Sequence, residues 1–237
     1  VLAETPKSTV SKQQKEKRSP KKMDTLKSIN SLTRLAYNLA AQKYHDLFHN
    51  EMNEKEYDRK LLDSFASRFN KDSLICDTGC GPSAHIGRYL FEKGINVVGV
   101  DISEKCVELA RLNNPEMKFE CADINNMPFD DNTFDGLISY YSIINTPKIY
   151  VNRIFAEFRR VLKPGGPLLV AVKAGTAEGY IDDLLGIKTK IYSALFTKEE
   201  IVAYFSRAGF LLEFFDKRNP YDFEISNERI FAIGRKV

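Results

Sequence analysis

Three short apolar runs in this chain each end on an aspartate: "LICD" at 74–77, "VVGVD" at 97–101 and "KFECAD" at 118–123. Helix-patterned stretches separate them, "HIGRYLFEKG" after the first and "EKCVELARL", capped by Ser103, after the second. Parallel strands buried on both faces read as continuous apolar runs, and consecutive parallel strands need a crossover between them. The pattern predicts a parallel sheet with helices on both faces. In such a sheet ligands bind outside the carboxyl ends of the strands, at the switch in strand order. Asp77, Asp101 and Asp123 all stand at those ends.

The alternation continues with a fourth strand, "FDGLISYY", and an amphipathic helix, "KIYVNRIFAEFRRVLK", which Pro164 stops. Pro167 opens the strand "PLLVAV", where a first residue need not donate to the ladder. Thr197 and Glu200 form the capping box of a helix, "TKEEIVAYFSRAG". Two final strands, "FLLEFFDK" and "ERIFAIGRK", have no helix between them, so the last enters antiparallel. The expected architecture is a Rossmann-like, doubly wound α/β sheet of seven mostly parallel strands with the last antiparallel, plus an N-terminal helical cap. In that cap Leu32, Leu35, Leu39 and Tyr44 fall near one helix face, and Leu61, Leu62 and Phe65 mark a second helix. The expected division is a basic tail at 1–23, the cap at 24–70 and the core at 71–237, with a lid insert at about 174–196.

The bulk properties bound the class. With 237 residues, 43% apolar and 28% charged, the chain suits one soluble domain with decoration. No apolar run reaches the ~18 residues that span a bilayer, and no leader pattern precedes a cleavage site. A cytoplasmic protein with no membrane partner is expected. Cys76, Cys80, Cys106 and Cys121 lack paired C-x-x-C spacing, so free thiols and no metal site are expected. Residues 1–22 carry seven Lys/Arg against two Glu, a net +5, which leaves −2 on the rest of a chain that totals +3. That body argues against a nucleic-acid substrate, whose phosphates need a basic face. The Ser/Lys/Gln-rich tail reads as solvated.

The loop "DTGCGPSA" at 77–84 admits two ligands. Gly79, Gly81 and Ala84 meet the G-x-G-x-x-G/A spacing of a dinucleotide turn. A side-chain-free turn ahead of a helix equally suits S-adenosylmethionine (SAM), which has a cationic half and no phosphate. Asp77 beside the loop would repel a pyrophosphate and attract that cationic half. Asp101 suits ribose hydroxyls in either ligand. A third acid, Asp123, can accept from an adenine amino group while Ile102 and Ile124 flank the ring, and this lies outside the dinucleotide fingerprint. The balance favours the methyl donor over a nicotinamide cofactor.

"ICDTGCGPSAHIGRYL", "VVGVDIS", "ECADINNMPFDDNTFDGLIS", "FRRVLKPGG" and the closing strand pair together resemble, in order and spacing, the class I SAM-dependent methyltransferases of small-molecule type. The likeness covers about residues 30–237. It implies a cofactor site in which Gly79, Cys80 and Gly81 meet the methionine part, Asp101 holds the ribose and Asp123 with Ile124 reads the adenine. The Ser139–Tyr140 backbone would face the ammonium and sulfonium, and Tyr37 and Tyr44 would cover the cofactor. It implies release of S-adenosylhomocysteine after transfer to an oxygen or nitrogen of a small acceptor. Two departures stand out: Ser83-Ala84 replaces a glycine pair, and Asn145 replaces a histidine that many relatives carry.

Methyl transfer from a sulfonium needs alignment more than a universal catalytic group. Candidate acceptor-side residues are Tyr140, Tyr141, Asn145 and His45. His45 and His49 stand at i and i+4 with no third ligand evident. His85 suits packing, capping or contact with the cofactor carboxylate. Glu178, Tyr180 and Asp182 in the lid insert, and Tyr221, could select the acceptor. A SAM-binding partner without activity remains the alternative, and the oligomeric state is left open.

Overall fold

The computed structural model describes residues 25–237, so the basic tail expected at 1–23 lies outside the described residues. Thr25 opens α1 (Leu26–Phe48) by accepting the Ser28 amide at 3.3 Å. After one 3₁₀ turn come α2 (Glu56–Ala66), β1 (Leu74–Thr78), α3 (His85–Phe91) and β2 (Asn96–Asp101). Ser103 accepts the Cys106 amide at 3.0 Å and starts α4 (Glu104–Asn113), which leads to β3 (Lys118–Cys121) and β4 (Gly136–Tyr140). Then follow α5 (Lys148–Val161), β5 (Pro167–Lys173), the hairpin β6 (Glu178–Leu184) and β7 (Ile187–Ala194), and α6 (Lys198–Arg207). The capping box of Thr197 and Glu200 is present at the start of α6. β8 (Phe210–Arg218) and β9 (Arg229–Lys236) close the chain.

Seven strands form one sheet in the order β3-β2-β1-β4-β5-β9-β8. β9 pairs antiparallel with both β5 and β8, and the remaining pairs are parallel, as the missing helix before it required. From β1 the chain moves outward to β2 and β3, whereas from β4 it moves the other way to β5. The switch therefore falls between β1 and β4, where a crevice must open. One face is sealed by α5 and α6 through Phe155, Phe158 and Phe205, all fully buried. The other is sealed by α2, α3 and α4 through Leu62, Phe65, Leu90 and Val107.

The N-terminal helix departs from its expected face. Leu35 and Leu39 are 53% and 55% exposed, whereas Ile29, Ala36, Ala40 and Ala41 are the buried residues of α1. α1 packs on both α4 and β7. Alanines there let backbones approach closely, which displaces the leucines outward.

The segment expected as a lid insert is the two-stranded β6–β7 hairpin. Leu185 and Gly186 both take positive φ, 57° and 77°, which is the left-handed pair a tight two-residue hairpin turn requires. Asp183 supports it by accepting the Gly186 amide at 2.8 Å.

Candidate cofactor site

Past β1 the backbone turns sharply, with φ of +71° at Gly79 and +65° at Gly81. A Cβ on Gly79 would stand 2.4 Å from the Ser142 Cβ, so the loop and the exit of β4 touch only because no side chain lies there. The Gly79 and Cys80 amides donate to the Val100 carbonyl at 2.7 and 3.0 Å, pinning the loop to the end of β2. The Gly81 amide donates to Asp101 Oδ2 and the Ser103 amide to Oδ1, both at 2.9 Å. Burial raises the Asp101 carboxyl, and these amides oppose the shift. Each carboxylate oxygen keeps a lone pair, which suits a vicinal diol.

At the third strand end, Asp123 Oδ1 accepts the backbone and side-chain amides of Asn125 at 2.9 and 2.8 Å, and Oδ2 accepts from Asn30 on α1. Ile102 and Ile124 supply apolar walls beside the two acids. Overhead, the Tyr37 hydroxyl donates to Asn145 Oδ1 at 2.9 Å, and Asn145 Nδ2 donates to the Tyr192 carbonyl at 2.7 Å. One amide thus joins α1 to the hairpin across the crevice. The Tyr44 ring lies 3.7 Å from where a Gly81 Cβ would be.

These groups line one cavity at the switch point of the sheet. Three residues of its lining carry a buried polar atom without a hydrogen-bond partner among the described residues: Thr33 Oγ1, Asn125 Oδ1 and the Tyr141 hydroxyl. Unpaired buried polar atoms are costly, so their gathering in one lining points to a polar guest. The set matches S-adenosylmethionine: a diol acceptor at Asp101, amine acceptors at Asp123 and Asn125, isoleucine walls for a flat ring, and bare backbone at the glycines.

Of the residues expected at the cofactor, Tyr37, Tyr44, Gly79, Gly81, Asp101, Ile102, Asp123, Ile124 and Tyr140 line this cavity. Asp77, Cys80 and Ser139 do not. Asp77 lies beneath the loop, where Oδ2 accepts the Gly87 amide at 3.0 Å. It acts as a distant cap for α3, whose own N-cap, Ala84, offers no side-chain acceptor. Burial, partly opposed by His85, pushes the Asp77 carboxyl up to about 6. Cys80 turns into the core against Gly99, and Ser139 Oγ pairs with Ser142 Oγ at 2.6 Å. Ala84, at one of the positions where the family resemblance implies glycine, sits at φ +45°, which explains the usual preference.

The acceptor-side candidates also divide. Tyr141 and Asn145 line the cavity with Tyr140. The Tyr140 hydroxyl donates to Asp58, and burial first, then that acid, raises it well above its ordinary range. His45 lies outside the lining, with Nδ1 3.0 Å from Ser83 Oγ and its ring stacked on His49 at 5.0 Å. His85 is buried against Glu51, Nε2 to Oε1 2.8 Å, rather than at the cavity. Glu178 accepts the Lys148 amide at 2.9 Å, Tyr180 packs edge-on to Tyr192, and Asp182 is exposed; none of the three lines the cavity. Tyr221 accepts the Tyr57 amide at 3.0 Å and stacks on Phe223, a turn-packing role.

Asn30, Thr33, Asn125, Ser142 and Thr146 line the cavity without having been singled out in the sequence. Asn125 was within reach, two residues past Asp123. Asn30 and Thr33 carried no signal, since only the docking of α1 brings them to the sheet.

A polar crevice at the switch point of a doubly wound sheet is where such folds bind their ligands. Residues 76–170 match the family model described as "Methyltransferase domain". The matched stretch, which runs from β1 into β5, is thus similar to a methyltransferase domain. It is 27% identical over 183 residues to the 24-methylenesterol C-methyltransferase 3 of Arabidopsis thaliana, covering 70% of this chain and 50% of that protein. It is 34% identical over 99 residues to the demethylmenaquinone methyltransferase of Renibacterium salmoninarum, covering 41% and 40%. The chain therefore spans about half or less of these curated relatives. By fold it resembles a Burkholderia thailandensis 1,6-didemethyltoxoflavin-N1-methyltransferase solved with its acceptor and S-adenosylhomocysteine. That match has a TM-score of 0.70 at 14% identity and covers 92% of this chain and 93% of the other. No described helix is long and apolar enough to cross a membrane.

Proposed function

We propose that this chain is an S-adenosylmethionine-dependent methyltransferase acting on a small molecule through a nitrogen or oxygen atom. The observation that carries the reading is the meeting of Asp101, Asp123 and Asn125 with the bare Gly79–Gly81 backbone in one cavity. Asp101 holds the ribose hydroxyls, Asp123 and Asn125 accept from the adenine amine, and Ile102 and Ile124 flank the ring. Tyr37 and Tyr44 cover the cofactor and exclude water. When bound, the cofactor supplies a methyl group on a sulfonium, a leaving group that needs no metal or protein nucleophile.

The proton inventory narrows the acceptor. Tyr37, Tyr44, Tyr140 and Tyr141 are all raised above their ordinary range by burial, so they stay neutral. Asn145 has no titratable group, and both ends of its amide are engaged. The chain therefore positions an acceptor that already presents a lone pair, such as an amine, a ring nitrogen or an anionic oxygen. Relatives named for sterol and menaquinone methylation support a small-molecule acceptor. The same lack of a base favours, as a second reading, a cofactor-binding partner without activity.

Calorimetry with S-adenosylhomocysteine and with NADH tests the cofactor. Micromolar binding of the first alone is expected, and binding of NADH alone refutes the reading. A panel of amines, heteroaromatics and anions, followed by S-adenosylhomocysteine release, separates enzyme from inert partner. Silence across the panel with the cofactor bound favours the second.

A further inference from the structure

Behind Tyr140 and Tyr141, at the carboxyl end of β5, lies a buried cluster of charges outside the cofactor cavity. Arg218 pairs with Asp58 at 2.8 Å and with Glu224 at 2.6 Å. Lys55 bridges Glu51 and Glu224 at 2.9 and 3.0 Å, and Arg229 approaches Glu224 at 3.7 Å. Every carboxylate of the group is thereby engaged. Lys173 remains. It stands directly across the β5–β9 ladder from Arg229, and directly opposed residues share a sheet face. It is partly buried and has no ion-pair or hydrogen-bond partner for its ammonium among the described residues. Burial first, then Arg229, lowers its pKa, and Glu224, which does not pair with it, opposes the shift.

A second unused donor stands beside Arg229. The Tyr141 ring faces that guanidinium at 5.9 Å, and its buried hydroxyl is without a partner among the described residues. Tyr141 also lines the cofactor cavity, so it is the wall between cavity and cluster. Its backbone holds φ +57°, a strained angle for an aromatic residue, kept while its amide donates to the Ala171 carbonyl at 2.9 Å. Lys55, Arg218 and Arg229 share the three carboxylates Glu51, Asp58 and Glu224, and none of these pairs includes Lys173.

We propose that this is an acceptor-recognition site for a single carboxylate, held by Lys173 and the Tyr141 hydroxyl beside Arg229. Both unused donors suit the oxygens of one carboxylate. The assignment rests on the methyltransferase reading, because it names what that reading leaves open, the class of acceptor. Lys173 and Tyr141 are then specificity-determining residues, Tyr141 in the wall of the cofactor cavity and Lys173 outside its lining.

Calorimetry on the full chain, with and without saturating S-adenosylhomocysteine, tests this using acetate, benzoate and octanoate against their amides and against phenyl phosphate. At least one carboxylate should bind about tenfold or more tightly than its amide. Lys173→Met should abolish that preference while S-adenosylhomocysteine affinity stays within about twofold, and Tyr141→Phe should weaken the preference severalfold. Without added carboxylate, Lys173→Met should melt no lower than the parent, since it removes a cation that has no counter-ion. A lysine with a structural ion pair would instead lose stability. Amides binding as tightly as carboxylates, no carboxylate binding, preference for phenyl phosphate, or an unchanged preference in Lys173→Met each overturns the proposal. Failure of S-adenosylhomocysteine to bind the parent overturns the methyltransferase reading instead, and the arm without it still reports on the carboxylate site.

Discussion

Asp77→Asn separates an acid that serves the fold from one that serves a ligand. Asparagine keeps an oxygen for the Gly87 amide, which Asp77 Oδ2 now accepts at 3.0 Å, and removes a charge that burial disfavours. The folded carboxyl is pushed up to about 6 from an ordinary 3.8, by burial above all. The folded chain thus holds this proton more tightly than the unfolded chain does. The contribution of Asp77 to stability is greatest below the unfolded value and is lost as pH rises through the folded one. At about 1.4 kcal/mol per pH unit the full loss is about 3 kcal/mol above pH 6, of which about 1 kcal/mol is already felt at pH 4.5. Relative to the parent, Asp77→Asn should therefore be more favourable at pH 7.5 than at pH 4.5 by about 2 kcal/mol. Any packing cost of the new amide cancels in that comparison. Urea unfolding of both proteins at the two pH values measures it. A difference under about 0.5 kcal/mol refutes the account of a buried, reluctantly ionised cap. S-adenosylhomocysteine affinity should fall by less than about tenfold, and a larger loss returns Asp77 to a ligand-facing role.

Asp101→Ala removes the acceptor proposed for the ribose hydroxyls and the anchor of the Gly81 and Ser103 amides. Its S-adenosylhomocysteine dissociation constant should rise by about thirtyfold or more in calorimetry, and an unchanged value contradicts the site. Gly79→Ala places a Cβ 2.4 Å from the Ser142 Cβ at a φ of +71°, so a stability loss of about 2 kcal/mol or more is expected in urea unfolding. Thr197→Ala deletes the capping box of α6, remote from the cavity. It should cost about 1 kcal/mol, or about 2–4 °C in Tm by calorimetric scan, and leave cofactor affinity unchanged.

Strand ends carry a strong sequence signal because burial and chemistry coincide there: an apolar run must stop, and the residue that stops it faces the crevice. This is why Asp101 and Asp123 were legible, along with the glycine loop and the antiparallel last strand. Asp77 ends such a run too, but its side chain points under the loop to the amide of α3. Alternation within one strand gives two faces without saying which receives the ligand. The β6–β7 hairpin escaped notice because its turn is Leu185-Gly186 rather than the usual Asn-Gly or Asp-Gly, and β6 is rich in polar residues. The outward leucines of α1 show that a helix can seat its smallest residues where a close approach matters more than apolar area.

The Arg218–Asp58 pair joins residues 160 apart, with Tyr57 likewise meeting Asp216 at 2.6 Å. During translation α2 leaves the ribosome with its carboxylate uncompensated, and its guanidinium partner arrives only after almost the whole sheet has been made. At roughly 5–20 residues per second, that interval lasts on the order of ten seconds. The N-terminal region must therefore wait for the last two strands before it can settle. A chain stalled or cut before β8 would lack Arg218, and the polar cluster behind Tyr140 and Tyr141 could not be assembled.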